Sequence, residues 1–145
     1  MMTRNILRVS AIVLTMGAGL AQAHAGGSTV SIEQYGYSNG VGGGQHGRRN
    51  KLTVYQNGHN NSSISNQYGW RNRAVVGQQG SHQTVNTYQS GRGNIAGVGQ
   101  FGSGHSVVTS QDGNGNAVGV IQAGRNNRAT TTQVGTGNVS VIVQD

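Results

Sequence analysis

The sequence predicts an all-β protein: a cross-β β-solenoid of five 22-residue strand-turn-strand-turn rungs plus a closing strand. Three observations carry that expectation. Gln recurs at every eleventh position from 34 to 144, eleven times without a slip. Between successive glutamines, small or apolar residues alternate with polar ones, a period of two rather than 3.6. The 26 glycines come with no Pro and no Cys, which excludes collagen, proline-rich linkers and disulfide-stapled scaffolds. Charged residues make up only 9% of the chain, so its polarity rests on Asn, Gln, Ser, Thr and Gly, and charge-driven disorder does not account for it.

The first element is an export signal over residues 1–25. Arg4 and Arg8 give the basic start, VSAIVLTMGAGLA (9–21) the apolar stretch, and Ala21-Gln22-Ala23 or Ala23-His24-Ala25 the small-x-small cleavage pattern, with cleavage after Ala23 or Ala25. The apolar run is shorter than the ~20 residues that span a bilayer. The rest, 26–145, has a length that suits one domain. It keeps eight basic and three acidic residues, a difference of +5.

The repeat organises that domain. Its first column is Gln34, Gln45, Gln56, Gln67, Gln78, Gln89, Gln100, Gln111, Gln122, Gln133 and Gln144. Two residues after the first ten stand Gly36, Gly47, Gly58, Gly69, Gly80, Gly91, Gly102, Gly113, Gly124 and Gly135. Five residues after the glutamines stand Asn39, Asn50, Asn61, Asn72, Asn94, Asn116, Asn127 and Asn138, with Gln83 and His105 in place of Asn at two positions. An eleven-residue spacing also fits three helical turns. The intervals decide against helix: Leu52 with Val54, Ala74 with Val76, Val85 with Thr87 and Val118 with Val120 each stand two apart, and β-branched residues and Gly disfavour helix.

Each unit is therefore read as a seven-residue strand from the Asn position to the next Gln, followed by a four-residue turn. Asn, two small or β-branched residues and Gln point to one side. Gly at the second turn position supplies backbone angles that other residues resist. Alternate units differ. Those starting at Ser28, Asn50, Asn72, Asn94, Asn116 and Asn138 carry the larger inward residues, and the others the smaller, more polar ones. The true repeat is thus 22 residues, with rungs 28–49, 50–71, 72–93, 94–115 and 116–137 and a final strand 138–144.

Stacking such rungs at ~4.8 Å puts Gln over Gln and Asn over Asn. Each carboxamide has both donor and acceptor, so a column is expected to bond copy to copy and need no thick oily core. Gly40-Val41-Gly42-Gly43-Gly44 reads as a poor strand.

Arg48, Arg49, Lys51, Arg71, Arg73 and Arg92 fall in or beside the turns after Gln45, Gln67 and Gln89, so they gather on one edge of the solenoid, with Arg125 and Arg128 on the other. This basic edge reads either as a solvated border or as a stripe for extracellular DNA, anionic surface polysaccharide or an acidic subunit. Outward aromatics such as Tyr55, Tyr68 and Trp70 cover a sheet face or serve lateral packing. The sequence points to no enzyme and no cofactor. Glu33, Asp112 and Asp145 lie in different rungs, the histidines form no column of metal ligands, and Asp112-Gly-Asn114-Gly-Asn116 lacks the closing Glu of a calcium loop.

The pattern Ser28-x-Val30-x-Ile32-x-Gln34-x-Gly36-x-x-Asn39-x-Val41-x-Gly43-x-Gln45, and the closer Gln67-Tyr-Gly69-Trp-Arg-Asn72-Arg-Ala74-Val-Val76-Gly-Gln78, resembles the curlin repeat Ser-x5-Gln-x-Gly-x-x-Asn-x-Ala-x3-Gln. The resemblance covers residues 28–144. It implies a curli functional-amyloid fibre subunit, secreted through the periplasm to the bacterial surface, with roles in adhesion and biofilm matrix. The implied partners are further copies of the chain in a head-to-tail homopolymer, another curlin subunit and a curli secretion system. The repeats begin within a few residues of the cleavage site, which leaves no room for the N-terminal segment that addresses curlins to their outer-membrane pore. Within the family, the regular final strand favours the bulk fibre subunit and the positive charge favours the minor, nucleating one. A soluble glycan- or ice-binding β-solenoid is the alternative of another class.

Overall fold

The computed structural model describes residues 26–145, so the export signal expected over 1–25 lies outside the described residues. The described chain is all strand and turn, with no helix. In order the strands are β1 (Thr29–Tyr37), β2 (Gly40–Arg48), β3 (Lys51–His59), β4 (Ser62–Trp70), β5 (Arg73–Ser81) and β6 (Thr84–Arg92). They continue with β7 (Ile95–Ser103), β8 (Ser106–Asn114), β9 (Ala117–Arg125), β10 (Arg128–Thr136) and β11 (Val139–Gln144). Odd-numbered strands make one parallel sheet of six and even-numbered strands a second parallel sheet of five. Every strand pairs with the one 22 residues away, Gln34 beside Gln56 and Gln45 beside Gln67, so two strands make one rung of a β-solenoid.

The core lies between the sheets and is narrow. The odd sheet turns Leu52, Val54, Ala74, Val76, Ala96, Val98, Val118 and Val120 inward. Against them the even sheet sets Val85, Val107 and Ala129, together with Ser63, Ser65, Thr87, Thr109 and Thr131. A larger aliphatic face thus meets a smaller face that carries hydroxyls, of which Thr87 donates to Ser65 at 2.6 Å. Side chains of this size let two sheets approach to about 10 Å.

The strands differ from the seven-residue reading. Ten of them run nine residues, from just after the Asn position to the third residue past Gln, and only two residues separate one strand from the next. The reason is at the glycine. Gly58, with φ at 135°, bends the chain while staying paired in the ladder, and a Cβ there would overlap the carbonyl oxygen of Gly80 stacked upon it. Reversal itself falls to the fourth residue after Gln, which is left-handed at Ser38, Arg49, Asn60, Arg71, His82 and Asn126 and is Gly at 93, 104, 115 and 137. No single residue type marks this position: four of its ten occupants are Gly and two Asn, which favour it, and the other four are Ser, Arg, Arg and His.

Gly40–Gly44 also departs from expectation. It lies in β2, paired residue for residue with β4. Register is imposed by the neighbouring strand, which overrides weak intrinsic propensity.

Candidate functional site

The glutamine columns run unbroken through both sheets. Gln34 Nε2 donates to Gln56 Oε1, Gln56 to Gln78, Gln78 to Gln100, Gln100 to Gln122 and Gln122 to Gln144, all at 2.7–3.0 Å. In the even sheet Gln45 donates to Gln67, Gln67 to Gln89, Gln89 to Gln111 and Gln111 to Gln133 at 2.7–2.9 Å. The second N–H of each amide crosses to the opposite sheet: Gln67 reaches the carbonyl of Lys51 at 3.1 Å and Gln89 that of Arg73 at 3.0 Å. One side chain therefore ties rung to rung and sheet to sheet. From Gln56 to Gln122 these side chains are fully buried with every amide proton used, as burial of a polar group requires.

The asparagines work differently from the copy-to-copy bonding expected of them. From Asn39 to Asn116 each asparagine Oδ1 accepts the backbone N–H of the next residue in its column, as Asn50 does from Asn72 at 3.0 Å and Asn72 from Asn94 at 3.0 Å. At Asn39, Asn50, Asn72, Asn94 and Asn116 the Nδ2 reaches both a carbonyl four residues back and the turn-glycine carbonyl nineteen residues on, whereas of these two Asn61 reaches only the glycine and Asn127 and Asn138 only the carbonyl four back. Asn72 binds Tyr68 O at 2.8 Å and Gly91 O at 3.1 Å, and Asn94 binds Ser90 O at 2.8 Å and Gly113 O at 2.9 Å. The shorter side chain, placed where the strand begins, reaches backbone and not its own copy. Asn39, Asn61, Asn116, Asn127 and Asn138 occupy the same column positions, and Asn138 alone also donates to a copy, Asn116. Asn and turn Gly are thus one device, in which the glycine bends the chain and the asparagine nineteen residues before it captures its carbonyl.

The two substituted positions keep part of this clamp. Gln83 donates to Gln79 O and Gly102 O at 3.0 Å each, but its extra methylene leaves its buried Oε1 without a partner. His105, also buried, takes the Asn127 N–H on Nδ1 at 3.2 Å and donates from Nε2 to Phe101 O at 3.1 Å, an arrangement that needs the proton on Nε2.

The basic side chains are exposed at the corner between even and odd strands. Arg48, Trp70 and Arg92 are neighbours in one row of the even sheet, and Lys51 is paired with Arg73 in the odd sheet. Arg49 and Arg71 hold left-handed corner positions. The guanidinium carbons of Arg71 and Arg92 lie 4.4 and 4.3 Å from the Trp70 ring centroid, so one indole holds two cations. The sequence gathers these residues by spacing but gives no sign that one ring holds both guanidinium groups. Outward rings stack along the axis, His46 on Tyr68 at 4.8 Å and Tyr37 on His59 at 5.0 Å. Among the described residues no three His, Asp or Glu side chains gather in a metal-binding group.

What the rungs define is a self-stacking structural protein, a parallel β-solenoid whose interior repeats one polar contact at every level. The family model described as the curlin associated repeat matches three times, over residues 47–80, 83–108 and 106–135. The chain belongs to the curlin repeat family. No curated protein matches it.

Proposed function

We propose that the chain is the bulk subunit of an extracellular, amyloid-like fibre on the bacterial surface, growing by head-to-tail stacking and serving adhesion and biofilm matrix. The carrying observation is the polarity of the glutamine columns. At the β1–β2 end, Gln34 and Gln45 offer Oε1 atoms that receive no donor among the described residues. At the β10–β11 end, Gln133 and Gln144 each commit one N–H to backbone and keep the other without an acceptor among the described residues. Donors at one end meet acceptors at the other, and the exposed strand edges there support the same addition. A heterologous contact of this kind does not close, so it gives a filament.

The test is incubation of purified 26–145, alone and with a major curlin subunit, followed by dye binding and fibre diffraction. Rapid unaided assembly with a meridional spacing of about 4.8 Å is expected. Slow self-assembly with efficient seeding at low ratio favours the nucleating role instead. A chain that stays monomeric for days at high concentration sinks the fibre reading and leaves a soluble glycan- or ice-binding solenoid.

The basic corner supports a second contact, with an anionic polymer such as extracellular DNA or surface polysaccharide. Retention of DNA by fibres is expected to fall steeply between about 50 and 200 mM salt. Retention independent of salt removes this contact.

A further inference from the structure

The outer face of the odd sheet changes character along the axis. On β1, β3 and β5 it carries Glu33, Lys51 and Arg73. On β7, β9 and β11 the outward positions of 95–101, 117–123 and 139–143 are Ile, Val, Ala, Phe or Gly only. Ile95, Phe101 and Ile121 are each 49% exposed, and Val139, Val141 and Val143 between 68% and 75%. The even sheet has no such face at this level, since β8 and β10 turn Asp112 and Arg128 outward.

The relief of the face follows from two glycines. Gly97 and Gly119 are paired across β7 and β9 and lie between Ile95 on one side and Phe101 and Ile121 on the other. Neither has a positive φ, and a Cβ would meet nothing within 4 Å at Gly119 and only the Val118 carbonyl at 3.9 Å at Gly97. The solenoid does not require glycine there, and glycine weakens a strand. What it produces is a shallow trough beside an apolar ridge.

We propose that this face packs against the same face of a second copy of the chain carried by another filament, the Phe101–Ile121 ridge of each entering the Gly97–Gly119 trough of the other. A pair related by a twofold axis satisfies ridge and trough at once, and a face whose charge is confined to Asp145, at its rim beside Ala123, suits a dry contact between sheets over the rest of its area. The area sets the order of events. Three strands about 4.8 Å apart and seven residues long at about 3.3 Å each give roughly 300 Å² per copy. That is well under the ~800 Å² per partner of a stable complex, so monomers do not pair through it. Filaments do, because every added subunit brings another patch. The inference rests on the fibre reading and deepens it: stacking comes first and lateral pairing second.

The test compares full-length filaments with those of Gly119→Lys/Ile121→Lys, which places two ammonium groups on the face, measuring mass per unit length by electron microscopy. Wild-type filaments are expected paired, and the variant single, with mass per length halved and seeded elongation unchanged within about twofold. Thr130→Lys/Thr132→Lys on the outer side of β10 is the control and leaves pairing intact. If the lysine variant loses its β circular dichroism, Phe101→Thr/Ile121→Thr, which keeps β propensity, is expected to halve the mass per length instead. Wild-type filaments that are single, or variants that fold and remain paired, overturn the proposal. So does co-sedimentation of single filaments with phosphatidylcholine–phosphatidylglycerol vesicles, which would make the face a lipid contact. A chain giving no dye-positive filaments refutes the fibre reading itself, and the pairing with it.

Discussion

Replacing Gln89 by Leu separates hydrogen bonding in the ladder from burial. Gln89 sits at the middle of the even sheet, fully buried, taking a proton from Gln67 at 2.8 Å and donating to Gln111 at 2.9 Å and to the Arg73 carbonyl at 3.0 Å. Leucine has nearly the same volume and leaves the packing intact. It strands an N–H of Gln67 and the Oε1 of Gln111, and each buried orphan costs about 1–3 kcal/mol. Leucine is better buried than an amide, so part of that loss is returned and a net destabilisation of about 2–4 kcal/mol remains. Gln34→Leu provides the comparison, because Gln34 bonds only one ladder neighbour, Gln56, and its loss is expected near 1 kcal/mol. Both are read from urea midpoints followed by circular dichroism on freshly diluted chain, before assembly. Equal losses at the two positions, or less than about 1 kcal/mol at Gln89, would refute the reasoning, since the amides would then act as volume and not as bonds.

Three further outcomes follow from single positions. Gly58→Ala drives a Cβ into the Gly80 carbonyl and is expected to cost about 3 kcal/mol or more, whereas Gly119→Ala, with open space around it, leaves the urea midpoint unchanged or slightly raised. Gln83→Asn shortens the side chain to the length used elsewhere in the column and removes the buried orphan Oε1, a gain of about 1–2 kcal/mol by the same measurement. Trp70→Ala withdraws the ring that holds Arg71 and Arg92, and DNA retention is expected to fall a few-fold at low salt with the salt slope nearly unchanged, because the cations themselves remain.

The solenoid was legible because its evidence is one-dimensional. A glutamine every eleven residues and alternation between them specify strand, face and rung length together, and Gln34 over Gln56 follows from arithmetic. The corners were not legible in the same way. Whether Gly58 leaves the ladder or stays in it depends on the carbonyl of Gly80 above, a contact between residues 22 apart. The role of Asn72 likewise depends on Gly91, nineteen residues further along the chain. Position 71 carries an arginine in a left-handed conformation, with no residue-type signal to announce it. The apolar outer face was hidden for another reason. It is spread over three strands, Ile95, Ile121 and Val141 among them, and becomes a surface only once β7, β9 and β11 lie side by side.

The glutamine contact between rungs is the same at every level, so the ladder distinguishes one end of the subunit from the other only by its direction. The outside does distinguish them. Cations collect over the first three rungs, at Arg48, Arg49, Lys51, Arg71, Arg73 and Arg92, while the odd face over the last strands is apolar. Salt therefore acts on the two surfaces in opposite senses. At about 0.15 M the screening length is near 8 Å, short enough to weaken a polyanion's hold on the basic corner and to suppress repulsion between neighbouring filaments. Apolar contact is not screened, so added salt favours filament pairing as it releases the polymer, and the two surfaces compete only when salt is low.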